Sequence, residues 1–272
     1  MTATAPWEWA SGSVQGREHW LARRNNQDAV CVVAGADSLV AVVADGCGSA
    51  PHSEVGARLG AALLARALAA RAGCLTDGSA AAAAVGAALD EVLTSLERLS
   101  GGRDAAALPW VRDHLLATTL GVVITAERGI VFRLGDGVVG VNGDLATHAA
   151  PDNAPPYLAY RLVPSECCRL DPSAITPVVE WEGAAESLDS VIIATDGAGE
   201  LRDGGHDAHA TLRAWLADDR LFRHPAALGR RLTLLARDEQ TIDWEAQHLR
   251  KRPGLLRDDT TLFLLRRRAD AS

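Results

Sequence analysis

Three apolar runs in this chain each end in an aspartate followed at once by glycine: LVAVVA before Asp45, GIVFRLG before Asp136 and SVIIAT before Asp196. A strand that delivers a carboxylate into a sharp turn leaves it at a sheet edge, free for acid–base work or for holding a cation. Taken singly, Asp-Gly after a strand is a hairpin turn, because the dipeptide favours the positive dihedrals such turns need. Asp136-Gly137, between two short strands, fits that reading by itself. A further acidic pair, Asp258 and Asp259, precedes the run TTLFLL. If this last strand runs antiparallel to those ending at Asp45 and Asp196, its beginning shares their edge and the acids converge. Carboxylates gathered in one place repel, and no Lys or Arg cluster adjoins them in sequence, so a bound cation is the economical explanation. Oxygen ligands without His or Cys suit Mg²⁺ or Mn²⁺ better than zinc.

The elements that must position these acids are legible as short valine- and isoleucine-rich runs bounded by Gly, Asp or Asn. They are Ala29–Ala34, Leu39–Ala44, Leu120–Thr125, Ile130–Leu134, Val138–Val141, Val191–Ala194 and Thr261–Leu265. Trp7, Trp9 and Trp20 suit an earlier strand packed on the core. Helices are expected over Glu54–Arg71, Ala80–Leu99, Ala208–Ala217 and Pro225–Glu239, the last with its proline in the first turn. Strands cluster, then helices, then strands, then helices and a final strand. That order departs from the βαβα alternation of a parallel sheet and predicts an α+β sandwich. Prolines crowd about residues 149–183, which predicts a loop-rich flap.

The chain has 272 residues, 48% apolar and 23% charged, enough for a sizeable core and too apolar for disorder. Its 27 basic and 35 acidic residues give −8, with the basic ones scattered, so no stripe offers itself to a nucleic-acid backbone. Five cysteines, an odd number, argue against a disulfide framework and for a reducing, cytoplasmic setting. The start lacks the charged and apolar regions of a signal peptide, and arginines interrupt Val55–Ala72, so neither export nor a membrane is expected.

Rival motifs are weaker. GCGSAP follows a strand and opens a helix, as a dinucleotide site does, but Pro51 occupies the third glycine position. Cys47 has no neighbouring His to activate it as a nucleophile. Adjacent Cys167 and Cys168 cannot form a zinc knuckle. His19 and His52 flank the acidic positions, with structural roles as the simpler reading. Arg266, Arg267 and Arg268 read as a solvated strand end.

Read together, RRNNQDAV, VVADGCGS, FRLGDGVVGV, IIATDGAGE and RDDTTLFLL resemble the metal-dependent serine/threonine phosphatases of type 2C, and SVQGREHW before QDA resembles their bacterial branch. The resemblance covers nearly the whole chain. It implies one domain over residues 1–272, with a four-layer α-β-β-α sandwich of two antiparallel sheets flanked by helix pairs. It also implies a site: Asp45 bridging two Mn²⁺ or Mg²⁺ ions, the Gly46 carbonyl on one of them, and Asp196 and Asp258 completing the other. Asp28 would act from behind these ligands, Asp136 would help hold a third ion, and Arg23 would bind the substrate phosphate. Thr261 matches the family's hydroxyl residue after Asp258. The implied reaction is hydrolysis of phosphoserine or phosphothreonine in proteins by a metal-bridging hydroxide, with no covalent phosphoenzyme, opposing a serine/threonine kinase in bacterial signalling.

Departures from the family pattern are informative. Gln27 replaces the glutamate common before Asp28 and removes a charge. Cys47 stands where eukaryotic members have histidine and many bacterial ones methionine, which leaves protonation of the leaving group unassigned. Ser49 replaces a glycine, Asp259 an asparagine, and Gly137-Val138 the usual Ser-Arg pair. Gln27 and the altered Asp136 loop keep one rival in play, a pseudophosphatase that binds phosphoproteins without turnover; a second rival, a metal-dependent hydrolase of small phosphate esters, is separated only by substrate competition.

Overall fold

In the computed structural model, which describes residues 6–167 and 175–268, the valine- and isoleucine-rich runs become strands of two stacked sheets. The strands are β1 (Trp7–Val14), β2 (Asp28–Ala34), β3 (Ser38–Asp45), β4 (Thr119–Thr125), β5 (Arg128–Leu134), β6 (Gly137–Val141), β7 (Asp144–His148), β8 (Val178–Ala184), β9 (Ser190–Ala194), β10 (Glu239–Asp243), β11 (His248–Arg252) and β12 (Thr260–Arg267). The helices are α1 (Arg17–Leu21), α2 (Glu54–Ala69), α3 (Gly78–Ser100), α4 (Leu108–Trp110), α5 (Ala208–Ala217), α6 (Asp219–Phe222) and α7 (Ala227–Ala236). One sheet has the order β1-β12-β9-β6-β7, the other β2-β3-β4-β5-β8, and β10-β11 stand apart as a hairpin. Their strand pairs are antiparallel.

Strand alternation builds the layers. Along β3, Val40, Val42 and Ala44 face the side covered by α2 and α3, while Leu39, Ala41 and Val43 face the other sheet. Along β12, Leu262 and Leu264 pack with α5, α6 and α7, while Phe263 and Leu265 enter the layer between the sheets. Three apolar clusters therefore separate four layers, the α+β sandwich of antiparallel sheets that the sequence predicts.

Helix α3 shows how local sequence fixes an element. Asp77 caps it by accepting from the Ala80 N–H at 2.9 Å, and Gly101 closes it in the left-handed region at φ +83°. Its length and composition would suffice to cross a membrane. Here its stripe of Ala81, Val85, Leu89, Val92 and Leu96 is buried in the protein core.

Several expectations need correction. Asp136-Gly137 is no hairpin turn, because β5 belongs to one sheet and β6 to the other. For the same reason β12 and β3 do not share a sheet edge; only β12 and β9 do. Trp20 lies on α1, 64% exposed, whereas Trp7 is buried and Trp9 stacks on Phe263. The last helix starts at Ala227, beyond Pro225, and stops at Ala236, before the hairpin. The proline-dense stretch is only partly a flap. Its end is β8, and its turns send Tyr157, Leu158 and Leu162 into the core. Residues 168–174, Cys168 among them, lie outside the described residues.

Candidate active site

The acids meet where the two sheets end together. Asp28 opens β2 and pairs in register with Asp45, which closes β3. Beyond Asp45 the chain is pinned on both sides. The Gly46 N–H donates to the Gln27 carbonyl at 3.1 Å, the Cys47 N–H to Leu116, and the Thr118 N–H to the Asp45 carbonyl. A side chain at 46 would put its Cβ 2.6 Å from the Gln27 carbonyl oxygen and 2.7 Å from the Ser53 hydroxyl, so the turn requires glycine. Asp136 sits on the crossover between sheets, flanked by Gly135 and Gly137 at φ +108° and +131°, conformations that other residues resist. Asp196 follows β9, and Asp258 and Asp259 precede β12.

A cavity of about 220 Å³ is lined by Asp28, Asp45, Gly46, Asp136, Asp196 and Asp258 together, with Asp259 and His19 in its wall. Asp28, Asp136 and Asp259 are buried; Asp196 and Asp258 form the exposed rim. Arg23 is not in the wall. It is exposed, at φ +56°, in the turn between α1 and β2, while the neighbouring Arg24 donates to the Gly48 carbonyl at 2.5 Å.

The electrostatics are those of crowded carboxylates, with Arg133 acting on Asp136 and His19 on Asp258. Burial pushes Asp28 well above the ordinary carboxylate range. The nearby Asp259 adds to this, and hydrogen bonds from Thr195 and Thr261 partly offset it. Burial also raises Asp45, and Asp28 and Asp196 raise it further. Asp136 and Asp258 are raised by burial first. No cationic side chain figures among the main influences on Asp28 or Asp45. Two buried acceptors in the same wall, Gln27 Oε1 and Thr118 Oγ1, have no protein partner among the described residues. Buried acceptors are ordinarily satisfied, so water or an ion belongs beside them. Among the described residues no three His, Cys, Asp or Glu side chains form a ready cage for a bare ion. The donor set, all oxygen and net negative, fits Mg²⁺ or Mn²⁺.

Features without a sequence signal complete the wall. Tyr157, from the proline-dense stretch, reaches the Cys47 thiol; burial and that contact push its phenol upward, so it keeps its proton. The Cys47 thiol also bonds the Ser49 hydroxyl at 3.2 Å. Glu54, buried in the first turn of α2, accepts from Asn25 at 2.7 Å and ties the Arg23 turn to the Asp45 turn. A larger hollow, about 560 Å³, lies between α5 and α7. Its acids Asp203 and Asp218 are paired with Arg231 and Arg220, so it has none of this unbalanced charge.

A search of curated proteins finds no match for this chain. Among solved structures it is similar to the serine/threonine phosphatase Stp1 from Staphylococcus aureus, at 14% identity and TM-score 0.56, covering 99% of this chain and 98% of that one. It is also similar to PppA, a key regulatory component of the T6SS in Pseudomonas aeruginosa, at 18% identity and TM-score 0.53, covering 97% and 98%. A third is the catalytic domain of the serine/threonine phosphatase PstP in complex with two manganese ions, at 18% identity and TM-score 0.52, covering 97% and 99%. These likenesses show a shared fold. The family model described as protein phosphatase 2C matches residues 15–230. That span takes in Asp28, Asp45, Asp136 and Asp196, whose strands make the cavity, and by it the chain belongs to the protein phosphatase 2C family.

Proposed function

We propose that this protein hydrolyses phosphoserine and phosphothreonine in proteins, with Mn²⁺ or Mg²⁺ held by Asp45, the Gly46 carbonyl, Asp196 and Asp258. The observation that carries the reading is the convergence of carboxylates from both sheets on one cavity, with no cationic side chain among the main influences on Asp28 or Asp45. The manganese pair in the PstP structure supports a binuclear centre, and Asp136, which lines the same cavity, would contribute to a third ion. When bound, a divalent pair supplies a nucleophilic water near neutral pH and neutralises phosphoryl charge.

The chain's own residues do the rest. Asp28 accepts from the Thr195 hydroxyl at 2.8 Å, which fixes its carboxylate behind Asp45. Gln27 and Thr118 offer acceptors to ordered water. Arg23, exposed in the turn between α1 and β2, would engage the phosphoryl oxygens with a charge-assisted fork when substrate is bound. The implied partners are a phosphoprotein substrate and the serine/threonine kinase that makes it. A reducing, cytoplasmic setting accords with the free thiols Cys31, Cys47, Cys74 and Cys167.

The test follows phosphate release from a phosphothreonine peptide with Mn²⁺, with EDTA, and in Asp45→Asn and Asp196→Asn. Release with Mn²⁺ alone is expected. Equal release in all four would sink the reading.

A further inference from the structure

Asp259 is buried, and each of its carboxylate's three partners is a donor or can be one. Oδ1 accepts from the Gly16 N–H at 2.6 Å, and Oδ2 accepts from the Gln27 N–H at 2.6 Å and meets His19 Nδ1 at 2.7 Å. An asparagine would turn an NH₂ toward one of these donors; only a carboxylate satisfies all three. With an ionised acceptor opposite it, Nδ1 is the protonated nitrogen of the neutral ring, and Nε2 is left to face elsewhere. The ring is part of the wall of the cavity that holds Asp45, Asp196 and Asp258. No protein partner meets Nε2 among the described residues. The backbone fixes this placement, since the Arg17 and Glu18 N–H groups donate to Leu256 and Arg257, just before the acidic pair.

Among the described residues His19 is the one imidazole in that wall. The other proton-bearing groups there suit the task poorly: the Tyr157 phenol is held protonated, the Cys47 thiol is engaged by the Tyr157 phenol and the Ser49 hydroxyl, and the carboxylates are needed for the cation. We propose that His19, oriented by Asp259, is the catalytic acid that protonates the departing seryl or threonyl oxygen. This rests on the phosphatase reading above. As the oxygen of the attacking water bonds to phosphorus, the bond from phosphorus to the side-chain oxygen breaks, and the Nε2 proton passes to that oxygen. Water and phosphoester thus become phosphate and a free hydroxyl, and His19 regains its proton from solvent. The hydrogen bond to Asp259 raises His19 above the ordinary imidazole value. Partial burial and Arg24 oppose this, and the net direction is upward.

The experiment compares two leaving groups in the full-length, Mn²⁺-loaded protein. A threonyl alkoxide needs a proton to depart; the phenolate of para-nitrophenyl phosphate does not. His19→Gln keeps a donor toward Asp259 but cannot transfer a proton, and its kcat on a phosphothreonine peptide should drop about 10²-fold more than on the aryl phosphate. An equal drop on both, or none on the peptide, would overturn the proposal. Failure of the parent protein to hydrolyse either substrate would instead remove the phosphatase reading. A second readout needs no variant: imidazole ¹⁵N spectra of the parent should show His19 Nδ1 protonated at neutral pH, and an unprotonated Nδ1 would overturn the assignment.

Discussion

Asp28 and Asp45 face each other as register partners across the β2–β3 ladder, two carboxylates side by side with no cation among their main influences. Such a pair costs folding energy until something positive joins it. Without divalent metal, Asp45→Asn should therefore be more stable than the parent, because it removes one of the two repelling charges. Urea denaturation in EDTA measures it. A loss of stability would show that the repulsion has been misread.

The same pair sets a pH dependence. Both groups sit above their unfolded value of 3.8. The stability they contribute is therefore complete below that value and is lost as pH rises through their folded values. The melting temperature of the metal-free protein should fall from mildly acidic toward neutral pH. Mn²⁺ at 100 times its dissociation constant should restore roughly 2.7 kcal/mol. Calorimetric scans across this range, with and without metal, check both halves.

Gly46→Ala should destabilise by about 1–3 kcal/mol, because its Cβ meets backbone and hydroxyl oxygens that cannot retreat without moving the turn. Gly48→Ala provides the control, having nothing within 4 Å of the added carbon. Equal tolerance at both positions in chemical denaturation would contradict the close approach at 46.

Arg23→Ala should raise KM for a phosphothreonine peptide roughly 10–100-fold, the worth of a charge-assisted hydrogen bond. Stability should stay within about 0.5 kcal/mol, since the side chain is exposed. Steady-state kinetics and a melting curve on the same preparation suffice.

Much of this was readable from residue order, for identifiable reasons. Strands β3, β9 and β12 announce themselves because they are covered on both faces, so their central positions are unbroken apolar runs. Their terminal aspartates break the pattern and stand out. The division into two sheets is not local information. Asp136-Gly137 has the chemistry of a hairpin turn, yet contacts far along the chain decide that it crosses between layers. The β10–β11 hairpin escapes notice because its residues are nearly all exposed and show no alternation. The closing arginines mislead in the other direction: Arg266 pairs with Glu8 and Asp219 and lies 4.1 Å over the Phe222 ring, anchoring the strand end. His19 has no periodicity to betray it, because its meaning lies in a partner 240 positions away.

Since β3 brings Asp45 from one leaf while β9 and β12 bring Asp196 and Asp258 from the other, the seam of Val43, Leu120, Ile193 and Phe263 works as a calibrated spacer for the chemistry. Trimming a methyl group in that seam would leave a folded molecule whose two halves are slightly out of true. Warming should blur the same alignment, so turnover ought to fade some degrees before the protein melts.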